Sequence, residues 1–206
     1  MKNFLAIDTS NEYLTVIASK GGQTEVFFEP KCGMQHSVRL MSAIEETMQK
    51  AGLSPEACDF FAAVTGPGSF TGIRIGVSAA KGLAAALGKP VLGITSFETL
   101  AYNAEGKRLA AIPAGRGFYY VCGFSADGTI AYDPARVGED ELFRLCEEYA
   151  VRSFFPLPVD HEKADPAAGL LAAVLNAPEA SFGDLSPFYL KKSQAEEERE
   201  AKEKNA

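Results

Sequence analysis

DFFAAVTGPGSFTGIRIGVSAAKGLAAAL, residues 59–87, reads as strand, glycine loop and helix in one run. Phe60-Phe61-Ala62-Ala63-Val64 is an apolar stretch of strand length. Thr65-Gly66-Pro67-Gly68-Ser69 predicts a turn, because glycine and proline together interrupt regular structure. From Phe70 the period changes. Phe70, Ile73, Val77, Ala80, Ala84 and Leu87 recur at steps of three and four, which is one face of a helix. Ser69 suits the N-cap, Gly88 the position past the last turn, and Pro90 blocks continuation.

Two readings of the loop stand side by side. The first turn of a helix leaves N–H groups unpaired and its dipole favours an anion, so a phosphate or carboxylate fits on Gly66–Gly72. Equally, Gly-Pro-Gly is a tight strand-to-helix connection. The loop lacks the Lys-Ser/Thr ending of a Walker P-loop and the G-x-G-x-x-G spacing. On the helix, Gly72, Gly76 and Ala79 form a small-residue stripe. Each glycine costs about 1 kcal/mol against alanine, so the stripe predicts close packing against the helix's own sheet or another chain.

The 206 residues are 47% hydrophobic with a net charge of −7, a globular composition with no general attraction for nucleic acid. Any RNA contact is then expected to rest on another subunit's basic surface. No run reaches membrane-span length, and Met1 to Asp8 turns acidic too early for a signal peptide. Cys32, Cys58, Cys122 and Cys146 are scattered without a C-x-x-C, so reduced thiols and a cytoplasmic location are expected.

Working outward, Phe4–Ile7, Leu14–Ala18 and Glu25–Phe28 predict an antiparallel meander. Asp8 closes the first strand, where an acid serves a magnesium–phosphate or simply an Asx-turn. Gln35–Ala51 reads as a helix with an apolar stripe of Val38, Met41, Ile44 and Met48. Val91–Ile94 is the next strand, and Thr95-Ser96-Phe97-Glu98 a capping box. Strands are expected at Leu109–Ile112, Phe118–Phe124, Thr129–Tyr132 and Phe154-Phe155, with helices at Glu139–Ala150 and Asp165–Leu175. The order meander, helix, strand, helix thus occurs in both halves. The tail from Ser193 predicts a solvated helix.

Four segments together resemble the TsaB (YeaZ) family. They are Leu5–Ser10, His36-Ser37, Gly66–Gly76 and Ser186–Lys191, with the third the most specific. The likeness spans nearly the whole chain and is strongest before Tyr102. It implies the α/β fold of acetate and sugar kinases, Hsp70 and actin: two lobes around a cleft, each a mixed sheet with an antiparallel meander and flanking helices. Residues 1–102 would form the first lobe, 103–192 a smaller, degenerate second one, and about 193–206 a tail helix packing back.

The resemblance also implies a role. TsaD, the catalytic relative, transfers threonylcarbamoyl from an adenylate (the TsaC product) to the tRNA adenosine beside the anticodon. TsaB pairs with TsaD, and the ATPase TsaE docks on that pair. Here the expected interface is Val38, Met41, Ile44 and Met48 on one helix, with Gly72, Ile73, Gly76, Ala79, Ala80 and Leu83 on the other. A homodimer through the same helices stays open. A bulky residue at Gly76 or Ala79 is expected to abolish pairing and spare the fold. Asp8, Thr9, Gly66, Gly68 and Ser69 are the candidate nucleotide or anion site.

Two departures weigh against independent chemistry. The His-x-x-x-His metal pair of TsaD falls near Ser96 and Leu100, which cannot replace imidazole ligands. Where the second lobe of the fold carries an acid, this chain has Pro113-Ala114-Gly115-Arg116. No cofactor on its own is therefore expected, with ATP and magnesium entering only in the complex. The competing readings are an ATP-dependent phosphotransferase and a metalloprotease. The latter needs paired ligands, which His36 and His161 do not supply.

Overall fold

The computed structural model describes residues 2–102, 105–183 and 185–190. Two five-stranded sheets organise them. The first holds β1 (Phe4–Asp8), β2 (Leu14–Lys20), β3 (Gln23–Glu29), β4 (Phe60–Gly66) and β5 (Val91–Thr95), in the order β3-β2-β1-β4-β5. The second holds β6 (Arg108–Pro113), β7 (Phe118–Phe124), β8 (Ile130–Gly138), β9 (Ala150–Ser153) and β10 (Glu162–Lys163), in the order β10-β9-β6-β7-β8. Each sheet is an antiparallel meander extended by two parallel strands. The repeated element order is therefore a repeated topology.

Helix α1 (His36–Ala51) joins β3 to β4, α2 (Phe70–Leu87) joins β4 to β5, and α3 (Ser96–Ala101) follows β5. In the second half α4 (Glu139–Cys146) corresponds to α1, and β9 passes to β10 without a helix. α5 (Pro166–Asn176) comes last, capped by Asp165.

Both faces of the first sheet are covered, so β1 and β4 read as unbroken apolar runs rather than alternating ones. Leu5, Ile7, Phe61 and Ala63 face α1 and α2. Phe4, Ala6, Phe60 and Ala62 face the other way, onto Leu170, Ala173 and Val174 of α5. The helix expected at Asp165–Leu175 thus exists, but its apolar side lies on the first sheet instead of its own. Conversely, Phe97 and Leu100 of α3 pack with Ala110, Ile112 and Cys122 of the second sheet. A boundary at 102/103 parts the sheets and not the packing, because each sheet has an apolar face left over that the other half's helix covers.

Local departures have simple causes. Thr65 and Gly66 stay in β4, paired across a bulge to β5. β8 continues past Tyr132 through Pro134, which an edge strand tolerates. α4 ends at Cys146, and the strand expected at Phe154-Phe155 lies earlier, at Ala150–Ser153. The four cysteines are free. Among the described residues no helix is long and apolar enough to cross a membrane. The expected tail helix from Ser193 lies outside the described residues, as does Lys191 of the fourth family segment.

Candidate functional site

The glycine loop is filled by the chain's own backbone. Thr9 Oγ1 donates to the Gly72 carbonyl at 2.6 Å, and the Ser69 N–H donates to the Ser10 carbonyl at 2.6 Å. A Cβ at Gly72 would overlap the Thr9 carbonyl, and one at Gly68 the Ser10 carbonyl. At Gly76 it would stand 2.5 Å from Thr9 Oγ1. Gly72 and Gly76 are therefore cut to admit the β1–β2 turn. Ser69 Oγ caps the Gly72 N–H at 3.2 Å.

The far end of the chain seals the other side. Phe188 donates its N–H to the Thr65 carbonyl at 2.8 Å. Tyr189 stacks on Phe70 at 4.5 Å, and its hydroxyl accepts from Arg74 Nε at 3.0 Å. So three of the four segments that carry the family likeness meet here. Nothing in their spacing announced the Phe188–Tyr189 contact.

Asp8 lies at the end of β1 and is 1% exposed. Its Oδ1 accepts from the Ser10 N–H at 2.8 Å, the Asx-turn reading, while Oδ2 is buried without a partner. Burial pushes the carboxyl above the usual carboxylate range, against hydrogen bonding by Ser10 and the Tyr13 hydroxyl and the charge of the nearby His36, which pull it down. A raised folded-state pKa means that the ionised form opposes folding above that pKa and that the opposition fades as pH falls through it. Asp8→Asn keeps the turn acceptor and removes the charge. It is expected to raise Tm at pH 7, with the gain shrinking in acid; an unchanged or lower Tm across that range would contradict this placement.

The cleft between the lobes holds about 640 Å³ and is lined by Asn11, Glu12, Gly68, Ser69, Pro113 and Tyr120, among others. Pro113 ends β6 as Asp8 ends β1, so the topology puts proline at the second lobe's counterpart of the acid. A magnesium nucleotide does not fit these residues. Asp8 is sealed off, carbonyl oxygens occupy the glycine loop, and Glu12 is the one charged side chain among the cleft's described lining. Millimolar ATP with magnesium is expected to leave Tm unchanged, whereas a binder gains stability by mass action.

Ser96 and Leu100 are 1% and 0% exposed, Ser96 Oγ lying 3.3 Å from Ser10 Oγ. Among the described residues no group of three His, Cys, Asp or Glu side chains could hold a metal. His36 Nε2 is 2.9 Å from the Tyr13 carbonyl.

The apolar stripe of α1 divides in two. Ile44 and Met48, 5% and 4% exposed, belong to the core with Leu40 and Ala43. Val38 and Met41 are 76% and 57% exposed. At about 100° per residue, Val38 and Ile44 stand roughly 120° apart, so they were never one face. Met34, 99% exposed in the 3₁₀ turn preceding α1, continues the outer line one turn before Val38. On α2, Ile73 and Ala80 are buried and Ala79 and Leu83 half-buried against the core. Of the expected interface, Val38 and Met41 alone are well exposed.

Paired mixed sheets of this topology, with a cleft between them, define a two-lobed α/β protein of the actin-like ASKHA class. The family profile described as "TsaD: tRNA N6-adenosine threonylcarbamoyltransferase" matches residues 28–183. The chain belongs to this family, on its TsaB (YeaZ) side. It is 34% identical over 128 residues to the "tRNA threonylcarbamoyladenosine biosynthesis protein TsaB" of Escherichia coli, covering 60% of this chain and 55% of that protein. With the Bacillus subtilis TsaB it shares 37% over 99 residues, 48% of this chain and 43% of that one. The chain thus spans about half the length of the curated relatives it matches. The solved YeaZ structure from Pseudomonas aeruginosa aligns at TM-score 0.79 and 25% identity over 92% of this chain and 100% of that one.

Proposed function

We propose that this chain is a non-catalytic scaffold subunit in the synthesis of threonylcarbamoyladenosine on tRNA. It pairs with TsaD, TsaE docks on the pair, and the TsaC product and tRNA are handled by those partners. The names of the TsaB relatives supply the pathway. The observation that carries the scaffold role is the exposed line Met34, Val38 and Met41 on a protein whose glycine loop is closed by its own backbone. Unbranched, polarisable methionines suit an adaptable contact surface. The net charge of −7 agrees with tRNA being held elsewhere. Self-pairing through the same face competes with TsaD rather than adding a function.

Reconstitution tests this. Modification of tRNA by TsaD, TsaE and the threonylcarbamoyl-adenylate is expected to need this chain, and the chain without TsaD to give none. Full modification in its absence would defeat the proposal.

A further inference from the structure

β6 carries a second feature at its other end. Arg108 opens the strand that Pro113 closes, about 17 Å away at strand rise, so the two mark opposite ends of the second sheet. Arg108 is 7% exposed. Its Nη1 donates to the Gly106 carbonyl at 2.7 Å and the Ser125 carbonyl at 3.4 Å. Its Nε is buried with no partner, and among the described residues it makes no ion pair. A buried guanidinium without a counter-anion is costly to keep.

A cavity of about 510 Å³ lies against it, lined by Phe97, Glu98, Tyr102, Phe124 and Ile130 among others. The Nη2 side of Arg108 faces its wall: a Cβ on Gly128, in the turn lining the cavity, would lie 3.8 Å from Nη2. Glu98 shares the wall, with Oε2 committed to the Thr95 N–H and hydroxyl. Glu98 and Arg108 thus line the same cavity. Asp127 adds a second carboxylate to the lining. A simple anion would meet those acids and a simple cation would meet Arg108. A molecule carrying both charges on an apolar body satisfies all three.

We propose that this cavity is a binding site for a small zwitterion, an α-amino acid with an apolar side chain, its carboxylate on Arg108 and its ammonium toward Glu98 and Asp127. The ring or alkyl group then lies against Phe97, Phe124 and Ile130. The volume is that of an ordinary small-molecule pocket.

The test titrates the full ¹⁵N-labelled chain with L-phenylalanine, with 3-phenylpropanoate, which lacks the ammonium, and with phenethylamine, which lacks the carboxylate. L-phenylalanine is expected to shift amides of 95–102 and 124–130 and to bind about tenfold or more tighter than either analogue. Arg108→Met is expected to weaken it at least as much. Ile130 is 56% exposed, so Ile130→Asp is safe for folding, and replacing its apolar contact with the ligand's ring by a hydrated carboxylate is expected to weaken binding as well. Equal binding of the three probes, shifts confined to the other cleft, no binding at millimolar concentration, or indifference to Ile130→Asp would each overturn the site.

Discussion

Gly72→Ala is expected to destabilise the protein by about 3 kcal/mol, the upper range for forcing an atom into a packed site. The new methyl would overlap the Thr9 carbonyl, a backbone atom held by β1 and unable to swing aside. Helix propensity works in the opposite direction, since alanine is favoured over glycine by about 1 kcal/mol within a helix. Overlap wins by magnitude. Gly82, in the same helix, meets nothing within 4 Å. There only propensity acts, and Gly82→Ala is expected to stabilise by about 1 kcal/mol. At about 2–4 °C per kcal/mol for a chain of this size, the two variants should move Tm in opposite directions by easily separable amounts. A neutral Gly72→Ala would mean that the β1–β2 turn does not sit in the stripe.

The same steric argument replaces the expectation that a bulky residue at Gly76 would break pairing and spare the fold. A Cβ there meets Thr9 Oγ1 and Ile7. Gly76→Trp is therefore a folding mutation and says nothing about partners.

The sequence showed the local parts well because local chemistry decides them. Ser69 caps α2, Gly88 adopts φ +62° after it, and the Thr95–Glu98 capping box forms as spaced. It could not show what lies on a face. The glycine stripe announces a close neighbour, but that neighbour is Thr9, 63 residues away. The same limit hid the destination of α5, whose apolar side names no particular sheet. In α1 the expected stripe was too broad: Val38 stands roughly 120° round the helix from Ile44, whereas Met41 is about 20° from Met48, on the same side, and differs from it in exposure. Met34 escaped because it precedes the helical pattern, although its spacing of four from Val38 was readable. Arg108 had no signal at all, since a strand-opening arginine reads as surface until burial is known.

The second large effect concerns the surface line. Val38→Asp with Met41→Asp puts two charges on positions that touch no core cluster, so stability should change within about 0.5 kcal/mol. In an interface the same charges would be desolvated without partners, at several kcal/mol together, enough to weaken pairing by a factor of about 100 or more. Fold and pairing thus separate in this variant as they cannot in Gly76→Trp.

The deciding measurement is therefore coexpression with TsaD followed by size exclusion with light scattering, for the unaltered chain and for Val38→Asp/Met41→Asp, with Tm recorded for each. A one-to-one peak is expected for the first and two separate peaks for the second at nearly equal Tm. A double variant that still runs one-to-one with TsaD at full yield would contradict it, and the exposed face of α1 would then not be where this protein meets its partner.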